Sequence, residues 1–127
     1  MRLRGADALV REKPGVTLDR SEVCTFVDEL EAELNQGGFP QYFYNSAGDH
    51  AADAIQALRT IGAFPMADIV GRAVARFLGG ISPKERFARQ DVLLGHFPDR
   101  KAFCDLDDEV FQYPDNLADL LKRYDAR

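Results

Sequence analysis

The chain has 127 residues and a formal net charge of −5, from 21 acidic and 16 basic side chains. This length fits one compact domain, and a hydrophobic content of 46% supports an ordinary core, so intrinsic disorder is not expected. The mild acidity argues against broad affinity for nucleic acid, because no excess of Lys and Arg is available to displace counterions from phosphates. It allows a basic protein partner without requiring one.

The two cysteines, Cys24 and Cys104, belong to no CxxC motif or Cys/His cluster, so zinc binding and thioredoxin-like chemistry find no support. Two buried, reduced thiols are favoured over a disulfide. Residues 1–16 lack the apolar core of a secretory signal, and no run approaches the roughly 20 apolar residues of a membrane span. We therefore expect a cytoplasmic protein that does not enter the membrane.

Residues 1–16 end in Pro14-Gly15 and are predicted to form an N-terminal arm or a short helix ahead of a helical domain over residues 17–127. Thr17 or Asp19 can cap the first helix of this domain, in which apolar residues recur at helical spacing to about Asn35. Gly37 is expected to end this helix in the left-handed conformation.

The rest of the domain is also predicted to be helical. One helical turn is predicted from Pro40, followed by a turn at residues 45–48. The remaining helices are predicted, in chain order, over residues 51–63, 66–78, 82–94, 102–112 and 115–125. In the 82–94 helix, Phe87 and residues 92–94 are expected to face inward. No segment alternates with period two for long enough to be a strand, so the prediction is an all-α, compact single-domain bundle of five to seven helices.

The most distinctive segment is NQGGFPQYFYNSAGDHA, residues 35–51, in which four aromatic residues are interleaved with two amides. Rings with a few fixed amides are typical of a ligand pocket. They are equally typical of a tight corner, in which amides satisfy stray backbone groups and rings close the core. The corner is the favoured interpretation. The alternative, a small-ligand or peptide pocket, would use Phe39, Gln41, Tyr42, Tyr44, Asn45, Asp49 and His50.

Acidic residues collect in two places. On the first helix Glu22, Glu29 and Glu33 fall within about 40° of one another at 100° per residue. The second run, Asp105 to Glu109, does not fit an EF-hand calcium loop, because Val110 stands at the position that needs Gly. Both sets are interpreted as solvated surfaces that pair with basic residues of the fold or, alternatively, as a surface that binds a basic protein. The basic residues in question are Arg72, Arg76, Lys84, Arg86 and Arg89. The candidate partner-binding residues are Asp19, Glu22, Glu29, Glu33, Asp105, Asp107, Asp108 and Glu109.

Catalytic chemistry finds little support in the sequence. The two histidines are His50 and His96, and the neighbouring pair Asp49-His50 is not a triad. No Ser, Thr or Cys sits in a nucleophile motif such as GxSxG. No metal, cofactor or enzymatic activity is therefore predicted.

Residues 18–58 resemble the core of a bacterial family of DNA-mimic-protein-like (DMP-like) proteins, many of them of unknown function. The elements that carry the resemblance are Glu33, Asn35, Gly37-Gly38-Phe39, Gln41-Tyr42-Phe43, Asn45-Ser46 and Gly48-Asp49, and a weaker pattern continues to about residue 125. The resemblance implies an all-helical fold in which the 35–51 corner is a family trait. It also implies a protein that binds a transcription factor or another basic DNA-binding protein and blocks its contact with DNA, without binding nucleic acid itself.

Overall fold

The computed structural model describes residues 17–77, 82–96 and 100–126. The predicted arm at residues 1–16 lies outside the described residues, and so does Gly79-Gly80, the pair expected to end the helix predicted over residues 66–78. Six α-helices occupy the described ranges: α1 Arg20–Tyr44, α2 Ala51–Thr60, α3 Phe64–Ala75, α4 Arg86–His96, α5 Cys104–Val110 and α6 Leu117–Asp125. Two 3₁₀ helices, Ser46–His50 and Arg100–Phe103, precede α2 and α5. These ranges contain no strand, and the predicted all-α fold is confirmed.

Helix α1 begins with a reciprocal cap. Asp19 Oδ1 accepts the Glu22 backbone N–H at 2.8 Å, and Glu22 Oε1 accepts the Asp19 N–H at 2.9 Å. This capping box satisfies two backbone donors that the first helical turn leaves without partners. Asp19, rather than Thr17, is therefore the residue that starts the helix.

The glycine prediction is wrong by one residue. Helix α1 continues through Gly37 and kinks at Gly38, which has φ 71° and ψ −166°. The Phe39 N–H beyond the kink donates to Asp107 Oδ1 at 2.8 Å. A Cβ on Gly38 would lie 2.5 Å from Asp107 Oδ2, so this position needs glycine both for its left-handed φ and for its contact with the carboxylate.

The core forms around α1, which packs against α2, α4 and α5. Its apolar stripe is fully buried and consists of Val23, Val27, Leu30 and Leu34. Beyond the kink, four phenylalanine rings from separate parts of the chain meet. The Phe43 centroid lies 4.9 Å from that of Phe77 and 5.6 Å from that of Phe103, and Phe39 stacks on Phe43 at 5.8 Å. Because of the kink, the C-terminal segment of α1 lies at the centre of an aromatic cluster.

Helix α4 differs from its prediction in its start and in its inward face. It begins at Arg86, after Glu85, whose carboxylate accepts the Phe87 and Ala88 backbone N–H groups at 3.0 and 2.8 Å. Phe87 and Leu94 were expected to face inward, yet they are 67% and 65% exposed. The reason is Arg89, which is fully buried: Phe87 and Leu94 lie about 150° away from it on the helix at 100° per residue.

The thiols also differ from expectation. Both cysteines are free, but Cys104 is exposed and Cys24 is only partly buried. The prediction of two buried thiols is therefore wrong. Across the described ranges, no helix combines the length and apolar character that crossing a membrane needs.

Candidate functional site

The aromatic corner at residues 39–44 is closed. Phe39, Tyr42 and Phe43 are at most 1% exposed, and Tyr44 is the ring that reaches solvent. Burial raises the pKa of Tyr42 above its ordinary value, and the nearby Glu29 carboxylate raises it further. Phe39 and Tyr42 therefore belong to the core and line no open pocket. The contacts agree with the structural interpretation of this segment and give the ligand-pocket alternative no support.

Glu33 holds both amides of the corner. Its Oε1 accepts Gln41 Nε2 at 2.8 Å and Asn45 Nδ2 at 2.9 Å. The amides thus satisfy a carboxylate on α1 and not, as the sequence suggested, stray backbone groups. Because the two bonds reach across the kink, they fix the angle between the two segments of α1.

Asp49 and His50 are adjacent in sequence but have different partners. His50 Nδ1 lies 3.2 Å from Glu29 Oε1, and the imidazole packs against the Phe26 ring at 4.8 Å. Asp49 Oδ1 lies 2.9 Å from Arg89 Nη1. The two side chains therefore do not pair with each other.

Arg89 is the residue whose role sequence reasoning missed. Its guanidinium is fully buried and donates from Nε to the Phe43 carbonyl at 2.6 Å and from Nη2 to the Asn45 carbonyl at 2.8 Å. Nη1 donates to the Lys84 and Pro83 carbonyls at 2.9 and 3.1 Å. One cation thereby satisfies carbonyls at the C-terminal end of α1, where the helix dipole also favours positive charge, and carbonyls of the segment that precedes α4.

The packing around Arg89 also accounts for a nearby glycine. A Cβ on Gly48 would lie 2.7 Å from the Tyr42 carbonyl oxygen and 2.9 Å from Arg89 Nε. A signal for Arg89 was present in the sequence, since it lies one turn before the inward Leu93 and so on the apolar side of α4. From the sequence alone, Arg89 is interpreted only as one of the basic residues that could form ion pairs at the surface.

The acidic run on α5 is largely neutralised by α3. Arg76 Nη1 donates to Asp105 Oδ1 at 2.8 Å, and Arg72 binds Glu109 through two N–H groups at 2.6 and 2.8 Å. Hydrogen bonding to Arg76 lowers the pKa of Asp105 to about 2, and hydrogen bonding to Arg72 lowers the pKa of Glu109. Asp107 caps the second segment of α1, and Asp108 is exposed and forms no ion pair with another described residue.

The acidic side of α1, defined by Glu22, Glu29 and Glu33, is arranged differently. Its carboxylates are bonded by a backbone N–H, by an imidazole and by two amides. No Arg or Lys of the described ranges forms an ion pair with them. Among the described residues, the carboxylates on this side are thus not matched by an arginine or lysine, whereas those of Asp105 and Glu109 are each paired with an arginine.

Metal chemistry has no candidate site within the described ranges, since no group of three His, Cys, Asp or Glu side chains is arranged to hold an ion. The candidate functional site is the acidic side of α1.

The sequence model of the DMP19-like protein family matches residues 19–127. The chain belongs to the DMP19-like protein family. The match begins at the cap of α1 and spans the kink, the aromatic corner and Arg89, so the resemblance noted in the sequence is confirmed. Searches of the curated proteins and of the solved structures gave no match.

Proposed function

We propose that this DMP19-like protein is an acidic interaction protein that binds a basic DNA-binding protein, such as a transcription factor, and blocks its contact with DNA. The observation that carries the proposal is that the carboxylates on the acidic side of α1 are not paired with an arginine or lysine of the described residues. The family resemblance, with its implied DNA mimicry, supplies the class of partner. The net charge of −5 favours encounter with a basic surface.

The spacing of the acidic side suits a row of basic groups. Glu29 and Glu33 are one turn apart, about 6 Å along the axis, and Glu22 extends the row to about 16 Å. Helix α1 keeps helical backbone angles through this row, with its apolar stripe buried, and reaches the kink only at Gly38. The carboxylates are thus presented on a rigid element, which limits the entropy lost on binding.

The α5 run, included among the candidate residues from sequence, contributes less to this proposal. Asp105 and Glu109 already face arginines, so a basic partner would have to compete with Arg76 and Arg72. We therefore place the partner surface on α1 and keep Asp108 as a peripheral contact.

The test compares two variants of equal charge. Glu29→Gln with Glu33→Gln removes two charges but retains oxygens that accept from His50, Gln41 and Asn45. The matched control, Asp28→Asn with Asp91→Asn, removes two charges from exposed carboxylates away from the acidic side of α1. The immobilised protein captures binding proteins from lysate of its own source. Each captured DNA-binding protein is then purified and used in a mobility-shift competition on its DNA.

We expect the wild type to displace the DNA and the Glu29/Glu33 variant to need at least about tenfold more protein, with the control close to wild type. Added salt should weaken the displacement, because screening reduces the attraction between the two surfaces. If the two variants displace DNA equally well, or if no captured protein loses its DNA, the proposal is wrong. Urea unfolding of each variant verifies that the fold is intact.

A further inference from the structure

The carboxylates on the acidic side of α1 are held by donors of different kinds. Glu22 Oε1 accepts a backbone N–H, and Glu33 Oε1 accepts two side-chain amides. Glu29 Oε1 instead lies 3.2 Å from the imidazole Nδ1 of His50. Backbone and amide N–H groups carry no charge, whereas histidine is the side chain that ordinarily changes its charge between about pH 5 and pH 8. Among the described residues, Glu29 is thus the carboxylate on this side whose partner can take up a proton.

The geometry around His50 determines how its ring meets Glu29. The imidazole packs against the Phe26 ring, with 4.8 Å between the centroids. A neutral imidazole can donate to Glu29 only as the tautomer that carries its hydrogen on Nδ1, because otherwise a lone pair would face the anionic oxygen. The His50 and Glu29 side chains are 37% and 30% exposed, so both solvent protons and a partner can reach the pair. A proton added at Nε2 therefore changes the charge of the pair without requiring the ring to move.

The other titratable groups around this pair are carboxylates, a guanidinium and a phenol. Asp49, the preceding residue, lies 2.9 Å from Arg89 Nη1, and Asp53 lies three residues after His50 in the first turn of α2. Tyr42, which lies near the same glutamate, is buried, and burial raises the pKa of its hydroxyl further above the neutral range. Carboxyl and guanidinium groups ordinarily titrate well outside the range from about pH 6 to pH 8. A change of charge near neutral pH is therefore expected, in these surroundings, from the imidazole.

We propose that His50 is a proton-controlled switch that sets the charge of the acidic side of α1, and with it the strength of binding to a basic protein, an inference that rests on the proposed function. Above neutral pH the neutral imidazole donates one N–H, and Glu29 has no counter-charge within the described residues. As the pH falls, a proton binds at Nε2, and the imidazolium becomes a counter-charge within hydrogen-bonding distance of the carboxylate. The acidic side thereby loses one unit of negative charge between Glu22 and Glu33. A basic partner is then bound less tightly.

The test uses a decalysine peptide, because its ammonium groups keep their charge between about pH 6 and pH 8 and it contains no histidine. Titration calorimetry with the full chain measures the dissociation constant at both pH values and at one ionic strength. We expect the wild type to bind decalysine about two- to fivefold more weakly at the lower pH, the size expected for one partly exposed ion pair. His50→Gln retains an amide N–H for Glu29 but cannot take up a proton, so its affinity should stay constant. His96→Gln removes the other histidine of the chain and should keep the pH dependence of the wild type.

Equal pH dependence in the wild type and in His50→Gln would overturn the inference, and so would an affinity that rises at the lower pH. A lack of saturable binding at the higher pH would overturn it as well, because the acidic side would then attract no basic ligand. Circular dichroism at both pH values verifies that each variant is folded.

These results can be told apart from a failure of the proposed function. If the pH effect on decalysine binding depends on His50 but the Glu29/Glu33 variant still displaces DNA as the wild type does, only the proposed function is wrong. If that variant loses displacement while His50→Gln keeps the pH dependence of the wild type, only the inference is wrong.

Discussion

Arg89 is the single residue that connects the most parts of the corner. Its guanidinium joins the end of α1, the approach to α4 and the 3₁₀ helix that contains Asp49. A buried charge is tolerated only when its donors are satisfied and its charge is matched; here four carbonyls accept from the guanidinium, and the Asp49 carboxylate lies 2.9 Å from Nη1 as its counter-charge. The same side chain turns α4 so that Phe87 points to solvent.

Replacing Arg89 by Ala should lower the free energy of unfolding by about 3 kcal/mol or more, because the carbonyls it serves would lose their donors and Asp49 its cation. Arg89→Lys should recover only part of this loss, since one ammonium cannot reach carbonyls on both sides. Urea unfolding of the variants measures both effects. Arg59→Ala is the control at an exposed arginine and should stay within about 0.5 kcal/mol of wild type. If Arg89→Ala lowers the free energy of unfolding no more than the control does, Arg89 does not stabilise the corner at residues 39–44.

At the scale of elements, α3 and α5 are joined by two arginine–carboxylate pairs, Arg72–Glu109 and Arg76–Asp105. The Arg76 guanidinium also lies 5.9 Å from the Phe103 ring centroid and donates to the Ala102 carbonyl at 2.6 Å. Helix α5 is short, so these contacts with α3, together with the Asp107 cap on α1, position it between two longer helices. The acids that look like a free patch in the sequence therefore serve to attach α5.

The Arg76–Asp105 pair predicts a specific acid sensitivity. The pKa of Asp105 falls from an ordinary value of 3.8 to about 2 in the native state. A lowered native pKa gives stability that is complete above the unfolded pKa and is lost as the pH falls through the native one. Asp105→Asn should therefore lower the urea midpoint near neutral pH, and its difference from wild type should shrink between pH 3.8 and about pH 2.

Asp108→Asn is the matched control for this measurement, because Asp108 is an exposed acid of the same helix that forms no ion pair with another described residue. Its midpoint should follow that of wild type at every pH. If the Asp105 and Asp108 variants show the same pH profile, the Arg76 pair does not stabilise the native state.

For the whole molecule, the acidic residues divide into those that join helices and those that are candidates for binding a partner. Carboxylates on α5 are matched by arginine, while those on the acidic side of α1 are held by neutral or weakly basic groups. Beneath both sets lies one continuous core, which the aromatic cluster of Phe39, Phe43, Phe77 and Phe103 joins across α1, α3 and the segment before α5. This core makes the surface rigid enough to present fixed charges.

The core assignment is tested by two phenylalanines that differ mainly in burial. Phe103 is 1% exposed and Phe87 is 67% exposed. Phe103→Ala should lower the free energy of unfolding by about 3–5 kcal/mol, since it removes a buried ring and leaves a cavity in the cluster. Phe87→Ala should change it by about 0.5 kcal/mol or less. Urea unfolding gives both values, and similar losses at the two sites would contradict the observed orientation of α4.

Much of the fold follows from local sequence. The Asp19 cap, the buried stripe from Val23 to Leu34 and the absence of period-two alternation all depend on residues a few positions apart, so they can be read along the chain. The glycine pair likewise predicts a break after the first helix. The elements that carry the family resemblance are local as well, since they lie within one helix and the corner that follows it.

The partners of individual side chains depend on the tertiary structure. Residues 37 and 38 are both glycine, and only Asp107 from a distant helix decides which of them is left-handed. Arg89 and Asp105 are both charged, and only their neighbours decide that one is buried and the other paired at the surface. Sequence thus determined the helical elements, because backbone hydrogen bonding in a helix is local. The tertiary structure decided which carboxylates are paired with an arginine, because an arginine on a separate helix can approach them only once the helices have packed together.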